Sequence, residues 1–575
     1  MSRSHINPLR VRIFFFGFVF FALLMVSKLY FLQIVRGEQY STRADRQYIR
    51  PTTSLLERGT IYFTTKSGDL VTAAHQETGY SIDLNPQVLA DPESAFERLK
   101  TVVPPTVALD AKSFFAKAAK KTDPFEEYIK KMPLTVGEQV NALDIDGLTA
   151  HKQKWRAYPN ENVAAHALGF VAFKGDTLAG RYGLENQYED VLRRDDSSLY
   201  TNFFAEIFSD IKHTVAGDEE ARGDIVTTIE PTVQSFFEQE LQKVNTQWNS
   251  DYSGGIVIDP KTGEVIAMAI RPTFNPNSFQ DERTTTIYSN KLVEGVYEMG
   301  SIIKPLTMAA GIDSGVVTAQ TTYNDLGRLT FDKKQISNFD GKARGVVDMQ
   351  QVLNQSLNTG VAFVQQKMGN VAFTNYMKSF GLASKTGIDL PYEGAPLTNN
   401  LDSPRDIEHV TASFGQGIAM TPIATARALS VLANGGMLVQ PHVVKQVVLT
   451  NGLKKTPPLA APVQVLKKET TDEISRMLVR VVDEALRDGK VKQEHYSIAA
   501  KTGTAQIANP NGGGYYEDRY LHSFFGYFPA YSPRFLVFLY TYHPKGVPYA
   551  SETLTTSFMD VAKYLINYYE IEPDR

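Results

Sequence analysis

Hydrophobic and polar positions are distributed very unevenly along the chain. Near the start stands an apolar block, residues 13–35 (IFFFGFVFFALLMVSKLYFLQIV), in which Lys28 is the single charge. The block is apolar all round rather than striped, unlike a helix that covers a soluble core with one face. As a helix it spans roughly 34 Å, enough for a hydrocarbon layer of about 30 Å. Lys28 lies beyond the midpoint, where its ammonium can snorkel outward. The run is long for the apolar region of a signal peptide, and no clear A-x-A site follows it. Arg3, Arg10 and Arg12 precede it. The pattern predicts an uncleaved anchor at 13–35, a cytoplasmic tail at 1–12, and export of everything beyond.

No later stretch is long and apolar enough to span a membrane. Residues 36–222 mix short strand-like runs with helix-like pieces. Within them FAKAAKKTDPFEEYIKKM, residues 115–132, reads as a solvated, charge-rich surface broken by Pro124, and 195–224 reads as a charged connector. From Gly223 the texture changes. GDIVTTIEPTVQSFFEQELQKV predicts a strand and then a helix opening near Pro231, with Thr228 or Glu230 close to its start. GGIVIDPKTGEVIAMAI predicts a β-hairpin turning at residues 259–263. Helix-like patterns follow at 346–368, 421–434 and 470–487. The end is rich in strands: SIAAKTGTAQIA, SFFGYFPA and RFLVFLYTY. Early and late strands around central helices predict an α/β domain over 223–575 whose sheet joins both ends.

Composition narrows the chemistry. The 575 residues are 43% hydrophobic and 21% charged, as in folded proteins, and are enough for two or three domains. A net charge of −4 gives no basic footprint for nucleic acid. The absence of cysteine excludes disulfide scaffolds, thiolate metal sites and a cysteine nucleophile. No cofactor or metal site is predicted.

Three short patterns carry the candidate chemistry. Ser301 and Lys304 lie in EMGSIIKPLTMAAG, one helical turn apart. A serine hydroxyl is a weak nucleophile until a neighbouring base takes its proton, and the lysine amine is placed to do so. Ser-x-x-Lys alone is weak: Ser209 and Lys212 make a second match, which reads as a surface serine in the connector. Next comes Ser356-Leu357-Asn358. A second hydroxyl can relay a proton and an amide can hold a substrate backbone, but a serine before a helix is also an ordinary N-cap. Lys-Thr-Gly occurs at 261–263, 385–387 and 501–503. The first lies in the predicted hairpin turn and the second just before a proline. The third sits in a strand-like run of small residues, and only a strand can lay its backbone beside an extended peptide. There Lys501, Thr502 and Thr504 offer a cation and two hydroxyls to a carboxylate, and Gly503 allows close approach.

Taken together and in this order, the patterns resemble those of penicillin-binding proteins of class B, the monofunctional peptidoglycan D,D-transpeptidases. The resemblance extends over nearly the whole chain. Arg58-Gly59-Thr60-Ile61 followed by Gly68-Asp69-Leu70 is similar to an early block of the family, with longer spacing and without its Asp-Arg. Arg156-Ala157-Tyr158-Pro159, HALGF (166–170) and Gly183-Leu184-Glu185 resemble the pedestal motifs. FNPNSF, SFGQGIAMTP (413–422), LANGG (432–436) and HSFFGYFP (522–529) resemble those of the catalytic domain. Met299 stands where the family usually has proline.

The resemblance implies a transpeptidase domain at 223–575, an antiparallel sheet flanked by helices, preceded by a single transmembrane helix and an elongated α+β pedestal at 36–222. It implies a stem peptide ending in D-Ala-D-Ala as substrate, Ser301 as nucleophile, Lys304 as base, Ser356 as proton relay and Asn358 on the substrate backbone. Lys501, Thr502, Gly503 and Thr504 would receive the terminal carboxylate, with backbone N–H groups of Ser301 and Thr504 as oxyanion hole. β-Lactams would acylate Ser301. A membrane glycan polymerase of the shape, elongation, division and sporulation class is the implied partner, and the inner membrane the location, with the catalytic domain on its outer side. Asn358 and Thr359-Gly360-Val361 lean toward the division type rather than side-wall elongation. Among the rivals, a β-lactamase needs a deacylating Glu-x-x-Leu-Asn, and Glu393, the nearest candidate, has Leu397 one residue late. A bifunctional enzyme with a glycosyltransferase domain does not fit the residues before Gly223, and a sensor of the zinc-protease type lacks His-Glu-x-x-His. A non-catalytic penicillin-binding scaffold would carry all three patterns as relics.

Overall fold

The structure, a computed structural model, describes residues 57–175, 177–194, 222–509 and 512–575, with Phe20, Phe21, Met25 and Lys28. The anchor predicted at 13–35 otherwise lies outside the described residues, as do Ser209, Lys212 and most of the predicted connector. Among the described residues no helix is long and apolar enough to cross a membrane. The chain forms two compact units, one of residues 78–154 and one of residues 56–77 and 155–575.

In the smaller unit the second half of the strand Leu70–Leu84 pairs antiparallel with Glu126–Met132. The helices Pro92–Val102, Ala111–Ala118 and Leu134–Ala142 carry the apolar side chains of its core, among them Phe96, Leu99, Phe114 and Val136. Residues 115–132 are therefore more than a solvated surface. Their polar letters belong to a helix end and a strand whose last residue, Met132, is buried.

The larger unit is built on five antiparallel strands: β1 (Tyr252–Ile258), β2 (Val265–Arg271), β3 (Ala499–Ala508), β4 (Tyr515–Phe528) and β5 (Phe535–Tyr542). Their spatial order is β3-β4-β5-β1-β2, so the sheet does join both ends of the sequence and β3 is an edge. Period-two alternation assigns the faces. On β5, Phe535, Val537 and Leu539 pack with Val233, Phe237 and Leu241 of helix α1 (Pro231–Gln247) and with Phe558 and Leu565 of the helix Thr555–Tyr568. Leu536, Phe538 and Tyr540 face the opposite core with Ile302, Ile303 and Leu306. Both faces are covered, which is why RFLVFLYTY reads as nearly continuous hydrophobicity. The carboxylate of Glu230 caps α1 by accepting from Val233 N at 2.6 Å. In the β1–β2 turn, Gly263 at φ +82° donates its N–H to Asp259 O.

A buried ion network ties early segments to the same unit. Glu185 accepts from Arg58 Nε at 2.5 Å and from Arg156 Nε at 2.6 Å, while Arg156 Nη1 donates to Gly59 O. Just beyond, Ile61–Thr64 runs parallel to Gly223–Thr227, with Ile61 opposite Ile225. Burial alone opposes ionisation of Glu185, but the two guanidiniums outweigh it and hold the carboxyl below its ordinary range. The motifs carrying the family resemblance before residue 200 thus owe part of their residue choice to an interior charge balance. Removing one member leaves the others buried and unpaired. Glu185→Ala is therefore expected to lower the unfolding free energy by about 3–5 kcal/mol, read from denaturant or thermal unfolding.

Candidate active site

The nucleophile candidate sits where two kinds of helix meet. Gly300–Ile303 is a 3₁₀ turn that continues directly into α2 (Lys304–Asp313), with Pro305 inside the first α-helical turn. In 3₁₀ geometry side chains at i and i+3 eclipse, which sets Lys304 beneath Ser301. Lys304 is wholly buried. Its Nζ donates to Ser356 O at 2.5 Å and lies 3.2 Å from Ser356 Oγ.

Ser356 itself departs from the sequence reading. Residues 346–368 were expected to be helical throughout; they form the strand Gly345–Asp348, helix α3 (Met349–Asn354) and helix α4 (Asn358–Met368). Between the helices Ser356 takes a left-handed backbone conformation, φ +55°. Its carbonyl is engaged by Lys304 rather than by a residue four further on, so the helix breaks here. Ser356 is not an N-cap: α4 starts from Leu357, with no side-chain cap. The Ser356 hydroxyl faces the lysines instead. Asn358 donates an amide N–H to Ser337 O at 2.8 Å, which fixes its side-chain orientation.

The third Lys-Thr-Gly copy completes the group. Lys501, 3% exposed, donates to Ser356 Oγ at 3.1 Å and to Thr502 O at 3.1 Å. It belongs to β3, the open edge of the sheet, as the strand argument required. Thr504 Oγ1 accepts from Ala550 N at 3.3 Å. Glycines set how closely the edge strand approaches the nucleophile turn. A Cβ on Gly503 would lie 2.7 Å from Met299 O and would also strike Ser523 Oγ, which donates to that same carbonyl. On Gly300, at φ +63°, it would lie 2.6 Å from Thr504 O. Gly415, whose carbonyl accepts from Gly300 N, has no room for a side chain either. Met299, in place of proline, is buried and leaves the turn helical. Sequence reasoning did not single out Ser523 or Gly415 for the site; the glycine spacing in SFGQG was the available signal.

The other copies are occupied structurally. Lys261 lies in the β1–β2 turn, where its N–H donates to Asp259 Oδ1. In the second copy, Thr386 N and Gly387 N donate to the Glu393 carboxylate at 2.6 and 3.0 Å. Glu393 therefore fixes a loop, which also accounts for the residue that came nearest to a β-lactamase signature. Among the described residues no group of His, Cys, Asp and Glu could hold a metal ion.

Electrostatics divides the two amines. Burial pushes Lys304 far below the ordinary lysine range, and the nearby Lys501 cation pushes it further. Burial alone brings Lys501 from 10.5 to about 8. Both amines lie within reach of one hydroxyl, and Lys304, disfavoured as a cation by burial and by the Lys501 charge, is the one poised to be neutral. This arrangement can accept a proton at Lys304, pass one through Ser356 Oγ and attract an anion at Lys501.

Residues 254–561 match the penicillin binding protein transpeptidase domain and residues 54–205 match the penicillin-binding protein dimerisation domain. The chain is 29% identical over 539 residues to stage V sporulation protein D of Bacillus subtilis, covering 92% of this chain and 81% of that protein. It is 28% identical over 585 residues to the peptidoglycan D,D-transpeptidase MrdA of Acinetobacter baumannii, covering 92% and 84%. Among solved structures, it is similar to penicillin binding protein 3 of Mycobacterium tuberculosis complexed with aztreonam, with a TM-score of 0.68, 22% identity, and coverage of 91% of this chain and 98% of that one.

The depressed Lys501 value has a consequence for stability. Between pH 8 and 10.5 the unfolded chain retains a proton at this lysine that the folded protein has released. Folding therefore becomes more favourable as pH rises through that window, by about 3 kcal/mol in all. Below pH 8 both states are protonated and the full cost of the buried cation remains. Thermal unfolding across this range is expected to show stability rising by about that much more in the unaltered protein than in Lys501→Met, where the depressed Lys304 still contributes its own rise.

Proposed function

The chain belongs to the penicillin-binding protein transpeptidase family, and from that premise we propose that it cross-links peptidoglycan stem peptides through an acyl-enzyme on Ser301. The observation that carries this reading is the convergence of Lys304, one helical turn after Ser301, and of Lys501 on Ser356 Oγ. Support comes from residues 304, 356 and 501, which belong to three separate stretches of sequence and are joined by hydrogen bonds, with Ser301 one turn before Lys304.

In the proposed reaction a D-Ala-D-Ala end lies along β3. Lys501, Thr502 and Thr504 hold its terminal carboxylate, Gly503 lets the backbone approach, and the Asn358 amide holds the peptide backbone. Ser301 Oγ attacks the penultimate D-Ala carbonyl as its proton passes to the neutral Lys304 amine. Backbone N–H groups of Ser301 and Thr504 stabilise the oxyanion. One such donor typically lowers the barrier by about 2.7–4 kcal/mol. Collapse of the tetrahedral species breaks the peptide bond, and Ser356 Oγ delivers the proton to the departing D-Ala amine. The amine of a second stem peptide then attacks the ester, restoring Ser301. A β-lactam presents a similar carboxylate and acyl carbon, so it acylates Ser301 and stays.

The reading extends to placement. Residues 13–35 act as the membrane anchor, 36–222 as the pedestal and 223–575 as the catalytic domain on the outer side of the membrane. A membrane glycan polymerase meets the anchor and pedestal. Support comes from the apolar block preceded by arginines and from the dimerisation-domain match at 54–205. Within this scheme the lean toward septum building rests on Asn358 and Thr359-Gly360-Val361. A penicillin-binding scaffold without turnover would retain slow labelling but form no cross-link.

Labelling with a fluorescent penicillin and peptide mapping test the chemistry. The adduct is expected on the peptide carrying Ser301, to vanish in Ser301→Ala, and to outlast by far the turnover time of a β-lactamase. Lys304→Ala is expected to slow acylation by roughly 10²–10⁴-fold, the range for loss of a general base; near-native acylation would remove lysine from that role. Acylation is also expected to decline as pH rises through about 8, where Lys501 loses its charge. Lys501→Ala should abolish this limb, whereas Lys385→Ala should leave both rate and limb unchanged.

A further inference from the structure

Between the nucleophile helix α2 and the Ser356 turn the chain inserts residues 322–348, two small hairpins that the proposed reaction does not use. Thr322–Asp325 pairs with Gly345–Asp348, and Arg328–Phe331 with Lys334–Ser337. At their centre lies Asp325, 1% exposed. It accepts from Thr359 Oγ1 at 2.7 Å, Gly327 N at 2.9 Å, Asn338 Nδ2 at 2.9 Å and Arg344 N at 3.0 Å. Among the described residues no salt bridge reaches it; hydrogen bonds hold the buried carboxyl group, and the Arg344 guanidinium acts on it only through charge at a distance. Asn338, also 1% exposed, turns its Oδ1 to Thr359 N at 3.3 Å.

These bonds converge on one place. Thr359 belongs to the first turn of α4. Asn358 beside it donates to Ser337 O, the residue preceding Asn338. On the other flank of the turn, Gln355 Oε1 accepts from Arg344 Nε at 3.0 Å, and the backbone of that arginine is bound to Asp325. The insert thus grips residues 355, 358 and 359, which surround Ser356 without touching its hydroxyl. Ser356 is a non-glycine residue in the left-handed region, a conformation that costs roughly 1–2 kcal/mol and persists only where its surroundings over-determine it. Lys304 restrains the turn from the side of α2. The Asp325–Asn338 pair restrains it through Thr359, which follows the turn.

We infer that Asp325 is a positioning residue of the reaction: through Asn338 and Thr359 it fixes the Ser356 turn so that the Ser356 hydroxyl stays between the two lysine amines. The inference rests on the transpeptidase reading and extends it to a residue outside the three motifs. Asp325 touches neither substrate nor reacting atoms. Replacing it by asparagine sets an amide N–H against the donors now aimed at the second carboxylate oxygen, and the turn is released.

The test uses the full chain and a fluorescent penicillin, with the acylation rate constant and the pre-covalent dissociation constant separated by varying drug concentration. In Asp325→Asn the rate constant is expected to fall by about 10²-fold, the effect of a displacement near 1 Å, while the dissociation constant stays within about threefold. The exchange Asp325→Asn with Asn338→Asp, which restores an acid–amide pair, is expected to recover part of the rate. Thr359→Val, a milder change that keeps the protein measurable if Asp325→Asn fails to fold, is expected to lower the rate constant about fivefold, the loss of one hydrogen bond. A rate constant within twofold of the unaltered protein in the folded fraction, with only the melting temperature lowered, overturns the inference and leaves Asp325 a purely structural residue. Failure of the unaltered protein to label at all would instead overturn the transpeptidase reading.

Discussion

Two buried lysine amines share one partly exposed serine hydroxyl. This constraint orders the site. Lys304 and Lys501 are 0% and 3% exposed, and both lie within 3.2 Å of Ser356 Oγ. Two ammonium ions at such proximity in a medium of low polarity repel strongly, so one amine must be neutral. The asymmetry falls on Lys304, which is the more deeply affected by burial and feels the other charge. In the proposed reaction a base and an anion-binding cation thus arise from one residue type through environment alone.

The rest of the catalytic unit holds that arrangement in place. The sheet buries both faces against helices, which fixes β3 as an edge that is rigid along its paired side. The glycines at 300, 415 and 503 bring the edge and the nucleophile turn into backbone contact, and the broken helix at Ser356 aims a hydroxyl into the gap. Further out, Glu185 balances Arg58 and Arg156, securing the strand Ile61–Thr64 beside Gly223–Thr227. Each of these features carries a local penalty: a left-handed serine, a buried carboxylate, a lysine deprived of solvent. Packing elsewhere in the unit offsets it.

Much of this was legible in the sequence because the relevant signals are local. The β1–β2 hairpin announces itself through Asp259-Pro260-Lys261-Thr262-Gly263, α1 through Glu230 and Pro231, and β3 through a run of small residues around Lys501. The choice among three Lys-Thr-Gly copies followed from the need for an open strand, and β3 provides one. What escaped notice depends on contacts between distant residues. A helix across 346–368 was the natural reading of that pattern, since nothing within it reveals that Lys304 will take the Ser356 carbonyl. Nothing local in the sequence marks Asp325 out. Its burial depends on Asn338 and Thr359, and no periodicity links the three. Residues 126–132 carry the polarity of a surface because their strand is only partly buried up to Ile129 and exposed at Lys130 and Lys131, and Met132 alone is fully covered by the core.

The contact of three glycines around the nucleophile turn limits where side chains can change. A side chain at 300, 415 or 503 meets backbone atoms or Ser523, so the positions packed around Ser301 are sterically closed to substitution. Room for substitution lies farther out, where exposed Phe339 and Tyr549 stand with ring centroids 6.0 Å apart. Tolerance of side-chain change in this unit therefore belongs to its margins.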